Sequence, residues 1–490
     1  MNESAVPSTL VDVLQAAPAR NNALFLPDTS ERLTYSGLRA QVMSAAGVLR
    51  RAGIERGNRV ALALPNGHPA LVGFLAATVA GTAAPLNPAY RYEEFRFYLE
   101  DTSARLLIVP PDGADAARKA AQELGVNVLT SEDLEELGAP KPDMPSPEDI
   151  ALVLHTSGST GRPKRVPLSH ANLAASIQTI ANTYQLTEED VSLCLMPLFH
   201  VHGLMASVMA TLFTGGTAVI PVRFNPMSFW RTVLDEGITW YSAVPTIHQL
   251  MLMRRRPSDD HALRFVRSCS AALSPGLMKE LEDHFETPIL EAYGMTEASH
   301  QIASNPLPPA AHMPGSVGPG TGTRISIRDE YGDELPLGNT GEVCIQGPGV
   351  IRAYENNPEA TAEGFFKDWF RTGDLGTLDG DGYLRLVGRI KEMINRGGEK
   401  IAPLEVDEAL LSHPSVAEAV TFGVPHPTWG EEVAAAVVLG GATTEAELIA
   451  HCKDRLADFK CPKKVHVVLE IPRTVTGKIQ RMNVAAALSK

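Results

Sequence analysis

Thr156-Ser157-Gly158-Ser159-Thr160-Gly161-Arg162-Pro163-Lys164 is the stretch on which the reading of this 490-residue chain turns. It follows a short apolar run at residues 150–154, so it leaves a buried strand carrying four hydroxyls, two glycines and a lysine. Small residues let backbone N–H groups approach a ligand closely, and the hydroxyls and lysine add donors; together they suit a polyphosphate. A flexible Ser/Gly linker would not follow a buried strand or close on Arg162-Pro163-Lys164. A Walker A loop is excluded, because no Gly-Lys-Ser/Thr ends the run.

Outward from the loop, apolar strand patterns at residues 59–64 and 105–109 are separated by helical patterns. Further strands are expected at 217–221, 239–243, 265–269 and 288–291. Strands spaced by helices imply an α/β fold of parallel sheets covered on both faces. From about residue 316 glycine and proline become dense and short alternating strands appear, Gly341–Gln346 among them, which predicts a small antiparallel β subdomain. Beyond residue 390 the pattern is compact α+β, with helices at 404–412 and 445–456 and strands at 417–424, 433–439 and 465–470. The chain therefore divides into a large N-terminal domain, 1–390, with its β-rich part at about 316–390, and a small C-terminal domain, 391–490; a chain this long exceeds one hydrophobic core.

Apolar residues make up 44% and charged residues 20%, the balance of a soluble globular protein. A formal net charge of −14 repels nucleic acid and anionic lipid, so any anionic substrate must be held by a local cluster of donors. Five scattered cysteines without a Cys-x-x-Cys pair argue against a disulfide framework or structural zinc. Residues 1–22 lack a basic start followed by an apolar run, and no apolar stretch is long enough to span a bilayer. The expectation is a cytoplasmic enzyme without nucleic-acid or membrane partners, a monomer or weak homo-oligomer.

Four more segments accompany the loop: Glu291-Ala292-Tyr293-Gly294-Met295-Thr296-Glu297, Arg371-Thr372-Gly373-Asp374, Gly388-Arg389-Ile390-Lys391-Glu392, and Pro472-Arg473-Thr474-Val475-Thr476-Gly477-Lys478. Taken with the loop, these five collinear segments span almost the whole chain and resemble the signatures of the acyl-CoA synthetase, adenylation-domain and luciferase (AMP-binding) superfamily. The resemblance implies ATP, Mg²⁺ and coenzyme A as ligands and a C-terminal domain that moves about a hinge at Lys391. It implies that Thr156, Ser157, Gly158, Ser159, Thr160, Gly161 and Lys164 hold phosphates. Tyr293 should flank the adenine, with Ala271 and Ala272 opposite and Glu291, Ala292, Gly294, Met295 and Thr296 completing that wall. Asp374 is placed to accept from the ribose hydroxyls, with Arg389 beside it. Glu297, with Thr160, should hold Mg²⁺, a hard cation suited to oxygen ligands. Thr296, Glu297 and above all Lys478 are the catalytic candidates, the lysine neutralising charge where carboxylate and α-phosphate meet. Gly397 and Gly398 match the segment that lines the coenzyme A tunnel. One position departs from the pattern: glycine usually follows Lys164, and here Arg165 does, where its side chain could crowd the loop's turn or add charge near the phosphates.

The segments Met196–Leu204, Ser268–Leu273 and Met295–Gln301 resemble the oxalate–CoA ligase branch of the superfamily. The residues point the same way: His202, Ser270 and His300 fall where the resemblance places the acyl pocket. Imidazoles and a hydroxyl suit a polar acid, because a carboxylate buried without donors is prohibitively costly. The expected activity is ATP-dependent ligation of oxalate to coenzyme A through an acyl-adenylate. Malonate or another short acid, and loading of a carrier-protein thiol in place of coenzyme A, are the alternatives.

Overall fold

A computed structural model describes residues 7–136, 142–156, 163–257, 260–473 and 479–488. The six-stranded sheet that carries the loop runs, in spatial order, Asn127–Thr130, Ala104–Val109, Arg59–Leu62, Thr82–Pro85, Ile150–Thr156 and Lys164–Ser169. Its first five strands are parallel. The sixth returns antiparallel, pairing Thr156 with Lys164, so Lys164 already belongs to the returning strand. Ser157, Gly158, Ser159, Thr160 and Gly161 lie outside the described residues.

An eight-stranded sheet packs alongside, in the order His300–Ser304, Ile289–Met295, Phe265–Ser268, Trp240–Ala243, Val191–Cys194, Thr217–Val219, Asn22–Leu26 and Glu31–Thr34. It is parallel inside and antiparallel at both ends. The expectation of parallel sheets therefore holds for both interiors and is corrected at their edges, where hairpins rather than crossovers close the chain.

Helices His68–Ala80 and His170–Thr183 contribute to one continuous core. The first is buried from Ala70 to Ala80 and apolar all round, as a helix enclosed on every side must be. The second starts where Ser169 accepts from the Asn172 backbone N–H and the Asn172 side chain accepts in return, a capping box.

The antiparallel β subdomain contains Arg324–Arg328, Gly341–Gln346, Phe365–Phe366, Trp369–Leu378 and Leu384–Arg389. After residue 393 a separate mixed sheet forms, from Ile394–Arg396, Glu399–Ile401, Val416–His426, Gly430–Leu439 and Lys464–Val467. Helices Pro403–Leu411, Glu445–Lys453 and Arg481–Leu488 accompany it, and its apolar residues form clusters of their own. Among the described residues no helix is long and apolar enough to cross a membrane.

Lys478 lies outside the described residues, but both flanks of its segment are anchored. Arg473 reaches the Glu418 carboxylate at 2.8 Å and pairs by backbone with Ile479. Arg481 is half-buried between the buried Asp407, at 2.6 Å, and Glu392, at 3.0 Å, and also donates to the Thr421 carbonyl at 2.9 Å. Removing one partner of such a pair strands a buried charge. Arg481→Ala is expected to lower stability by about 3 kcal/mol, read as a shift in the urea midpoint.

Candidate active site

Glu297 sits in a short 3₁₀ turn, Thr296–Ala298, at the tip of the hairpin between Ile289–Met295 and His300–Ser304. One of its oxygens accepts from the Thr156 hydroxyl at 3.1 Å and from the Tyr354 hydroxyl at 3.0 Å. The Lys164 ammonium lies over the Tyr354 ring, 4.7 Å from its centre. Carboxylate, hydroxyls and lysine thus meet beside the phosphate loop, and a buried carboxylate with hydroxyl neighbours is a donor set that fits a hard divalent cation. Nothing in the sequence marks Tyr354, which looks there like any tyrosine of the β-rich region.

Arg165 is engaged by acidic groups at the base of the hairpin. Its guanidinium lies 3.6 Å from Asp101 and 3.4 Å from Glu355 and also donates to the Asp101 carbonyl. His155 joins Asp101 at 3.0 Å and Arg59 pairs with Glu355. The side chain is a brace that ties the base of the loop hairpin to the helix Tyr92–Asp101 and to the segment carrying Tyr354. Along a strand alternate residues face opposite ways, so the residue after Lys164 points to the other side.

Several of the candidate nucleotide residues lie in contact with one another. Asp374, buried in the strand Trp369–Leu378, stands opposite Arg389, whose guanidinium is 2.9 Å from one carboxylate oxygen. The other oxygen accepts from the Tyr293 hydroxyl, so the candidate adenine and ribose residues are directly joined. Glu291 accepts from the Leu273 backbone N–H at 3.0 Å, which fixes the segment holding Ala271 and Ala272 against the Tyr293 strand. Among the described residues its other oxygen has no partner, and burial pushes the carboxyl up to about 8.

The acid-pocket candidates also converge. His202 opens a π-helical stretch, His202–Met209, a wide turn often found at functional sites. Its Nδ1 lies 3.0 Å from Ser270 Oγ and its Nε2 2.7 Å from Ser242 Oγ. The His300 ring stacks on it, centroids 5.0 Å apart. Ser270 (φ +73°), Ser299 (φ +56°) and His300 (φ +128°) all hold left-handed backbone, a strain of about 1–3 kcal/mol each that gathers at functional sites. Behind them lies Arg267, fully buried, bonded to Ser242 Oγ at 2.9 Å, the Tyr184 hydroxyl at 2.8 Å and Gln301 Oε1 at 3.1 Å. The motifs of the sequence pass over Ser242 and Arg267; an arginine inside the apolar strand Phe265–Ser268 is the available signal.

Lys391 is exposed in the short turn Ile390–Glu392. Gly397 (φ +62°) and Gly398 (φ +97°) make the two-residue turn between Ile394–Arg396 and Glu399–Ile401. A Cβ on Gly397 would lie 2.7 Å from the Trp429 ring.

The α/β frame with its separate C-terminal sheet is that of an adenylate-forming enzyme. The chain matches the AMP-binding enzyme family over residues 13–355 and the AMP-binding enzyme C-terminal domain over residues 405–478, and it belongs to that family. It is 46% identical to an oxalate–CoA ligase of Arabidopsis thaliana, over 92% of this chain and 93% of the relative. It is 38% identical to a sulfoacetate–CoA ligase of Cupriavidus necator, over 94% and 93%. ATP-bound MatB from Rhodopseudomonas palustris shares the fold with a TM-score of 0.93 at 31% identity, covering 98% of this chain and 99% of that one.

A raised folded-state pKa makes Glu291 bind more protons folded than unfolded. Its contribution to stability is therefore complete below about 4.5 and is lost as pH rises through about 8. Glu291→Gln is expected to flatten this decline, measured as urea midpoints across that range; an unchanged slope would mean that the carboxyl is ionised in the folded protein.

Proposed function

We propose that the chain is an AMP-forming acid–CoA ligase whose acid is oxalate. Oxalate attacks the α-phosphorus of ATP to give oxalyl-AMP and diphosphate; the thiolate of coenzyme A then displaces AMP and yields oxalyl-CoA. The observation that carries the substrate is the paired imidazoles of His202 and His300 beside the Ser270 hydroxyl. A buried anionic group needs such donors around it. The two ligase relatives act on acids that carry a second anionic group beside the carboxylate, which agrees with this pocket.

In this reading Asp374 and Arg389 hold the ribose and Tyr293 the adenine, with Ala271, Ala272, Glu291, Ala292, Gly294, Met295 and Thr296 forming the wall. The phosphates lie in the loop from Thr156 through Ser157, Gly158, Ser159, Thr160 and Gly161 to Lys164. Glu297 and Thr160 would hold Mg²⁺, which neutralises phosphate charge when bound. Lys478 steadies the developing charge between carboxylate and α-phosphate. Residues 391–490 act as a domain swinging about Lys391, so that Lys478 serves adenylation and the Gly397–Gly398 turn serves the thiol step. The enzyme works in the cytoplasm as a monomer or weak homo-oligomer.

A panel of oxalate, malonate, glyoxylate and acetate, followed by diphosphate release with and without coenzyme A, tests the substrate. Oxalate should give the highest kcat/KM, and acyl-CoA should form only with the thiol present. Preference for malonate, or acid-dependent exchange without acyl-CoA, would replace this reading with a longer diacid or a carrier-protein acceptor. The lysine has a separate test. Lys478→Ala should lose acyl-AMP formation by about 100-fold or more while still converting supplied oxalyl-AMP to thioester; equal loss in both half-reactions would remove its assignment.

A further inference from the structure

Arg267 is the one arginine among the largest fully buried side chains; it donates to Tyr184, Ser242 and Gln301, two hydroxyls and an amide oxygen, and the Cys269 thiol also lies beside it. Among the described residues it forms no ion pair with a carboxylate, although a buried charge ordinarily demands one. We propose that Arg267, acting through Ser242 and His202, orders the protons of the acid pocket so that Ser270 offers its hydroxyl hydrogen to the far carboxylate of the substrate. This rests on the reading of the substrate as a short diacid.

The polarity follows from what each group is able to do. A guanidinium only donates, so Ser242 Oγ accepts from Arg267 at 2.9 Å. Ser242 must then spend its own hydrogen elsewhere, and the second partner found for it among the described residues is His202 Nε2, at 2.7 Å. With Nε2 accepting, a neutral imidazole carries its hydrogen on Nδ1, which donates to Ser270 Oγ at 3.0 Å. Ser270 is then an acceptor on the histidine side, and its hydroxyl hydrogen is released for a ligand. Ser270 is only partly buried, and its φ of +73° marks a backbone held in place for a purpose other than strand pairing. No proton moves in this chain; it is a fixed series of dipoles starting at a cation and ending at a donor.

Two consequences follow. A second negative charge in the substrate is favoured by the dipole series and by the guanidinium behind it, which no carboxylate meets among the described residues, so an acid with one carboxylate is bound less well. Arg267 is a positioning residue, since it acts through Ser242 and His202 without touching the reacting atoms. Gln301 and Tyr184 hold its other two edges: Gln301 is anchored by Thr183 and Thr321, and Tyr184 meets Ser304 at 2.7 Å. The guanidinium is thus fixed on all sides and cannot turn away from Ser242.

The test uses the full-length enzyme and acid-dependent ATP–diphosphate exchange, comparing oxalate with glyoxylate, which has the same length and one carboxylate. Ser242→Ala cuts the series while leaving Arg267 and His202 in place. It is expected to raise the oxalate KM by about tenfold or more, keep kcat within about threefold, leave the ATP KM unchanged, and lower the preference for oxalate over glyoxylate about tenfold. Ser242→Thr, which keeps the hydroxyl, should restore the preference. Arg267→Lys should lose it as Ser242→Ala does, but that variant risks misfolding, so the Ser242 variants decide the matter. In ¹⁵N spectra of histidine-labelled wild-type enzyme, with the His202 signals assigned by their loss in His202→Asn, the hydrogen should sit on Nδ1; Ser242→Ala should give mixed tautomers. A hydrogen on Nε2 in the wild type, or an unchanged preference in folded Ser242→Ala, overturns the proposal. Should wild-type enzyme give no exchange with oxalate, the substrate reading falls, and the tautomer then decides the relay by itself.

Discussion

Gly294 lies so close to the backbone of His300 that a Cβ there would sit 1.9 Å from the His300 carbonyl oxygen. That approach allows the strands Ile289–Met295 and His300–Ser304 to close into a hairpin, with an irregularity between Tyr293 and Gly294. Three parts of the site hang on this one bend. Tyr293 leaves it toward Asp374, Glu297 occupies its tip beside Thr156, and His300 returns from it onto His202. A side chain at 294 would have to push the strands apart, and the candidate nucleotide, metal and acid positions would separate together. The left-handed backbone of Ser299 and His300 is the strain that accompanies so tight a return.

The hairpin is held from both sides. Ser299 donates to the Gly349 carbonyl at 2.8 Å and its own carbonyl accepts from Ser176 at 3.1 Å, which ties the bend to the central helix His170–Thr183 and to the β-rich region. Tyr354 and Ile351 add contacts to Glu297 from that same region. The Arg165 brace completes the frame by fixing Glu355, next to Tyr354, to the base of the phosphate loop. Loop, carboxylate and tyrosine are therefore mutually positioned by elements far apart in sequence, each link being one hydrogen bond or ion pair.

Much of this is legible in the sequence, for a physical reason. The strand patterns are readable because interior parallel strands are continuous apolar runs, and Gly341–Gln346 matches its expected limits to the residue. Strand ends such as that of Ile289–Met295, which extends four residues past its expected limit, are not, because Tyr293 to Met295 pair with a hairpin partner whose polar residues give no strand signal. Candidate site residues in compact motifs, such as Asp374 and Glu297, stand out; Ser242, Arg267 and Tyr354 do not. These three act through contacts across the fold, and a serine or tyrosine in a strand or loop carries no local mark of its partner. Arg165 is visible as an oddity but not explicable from the sequence, since its partners Asp101 and Glu355 lie 64 and 190 positions away.

The electrostatic problem set by the composition is solved locally. A chain of net charge −14 that handles a triphosphate and a carboxylate cannot rely on its overall field. Where acidic side chains line the nucleotide region, each is engaged: Asp374 by Arg389 and Tyr293, Glu297 by two hydroxyls. Glu291 is kept neutral by burial. In the candidate acid pocket the arrangement is reversed, with a buried guanidinium that meets hydroxyls, an amide oxygen and a thiol and, among the described residues, no carboxylate. The two halves of the candidate site therefore differ in sign, one presenting carboxylates and the other a buried guanidinium with imidazoles and hydroxyls. Segregation of this kind suits a strongly acidic protein that must hold anionic ligands, because over a few ångströms a buried charge outweighs many solvated ones.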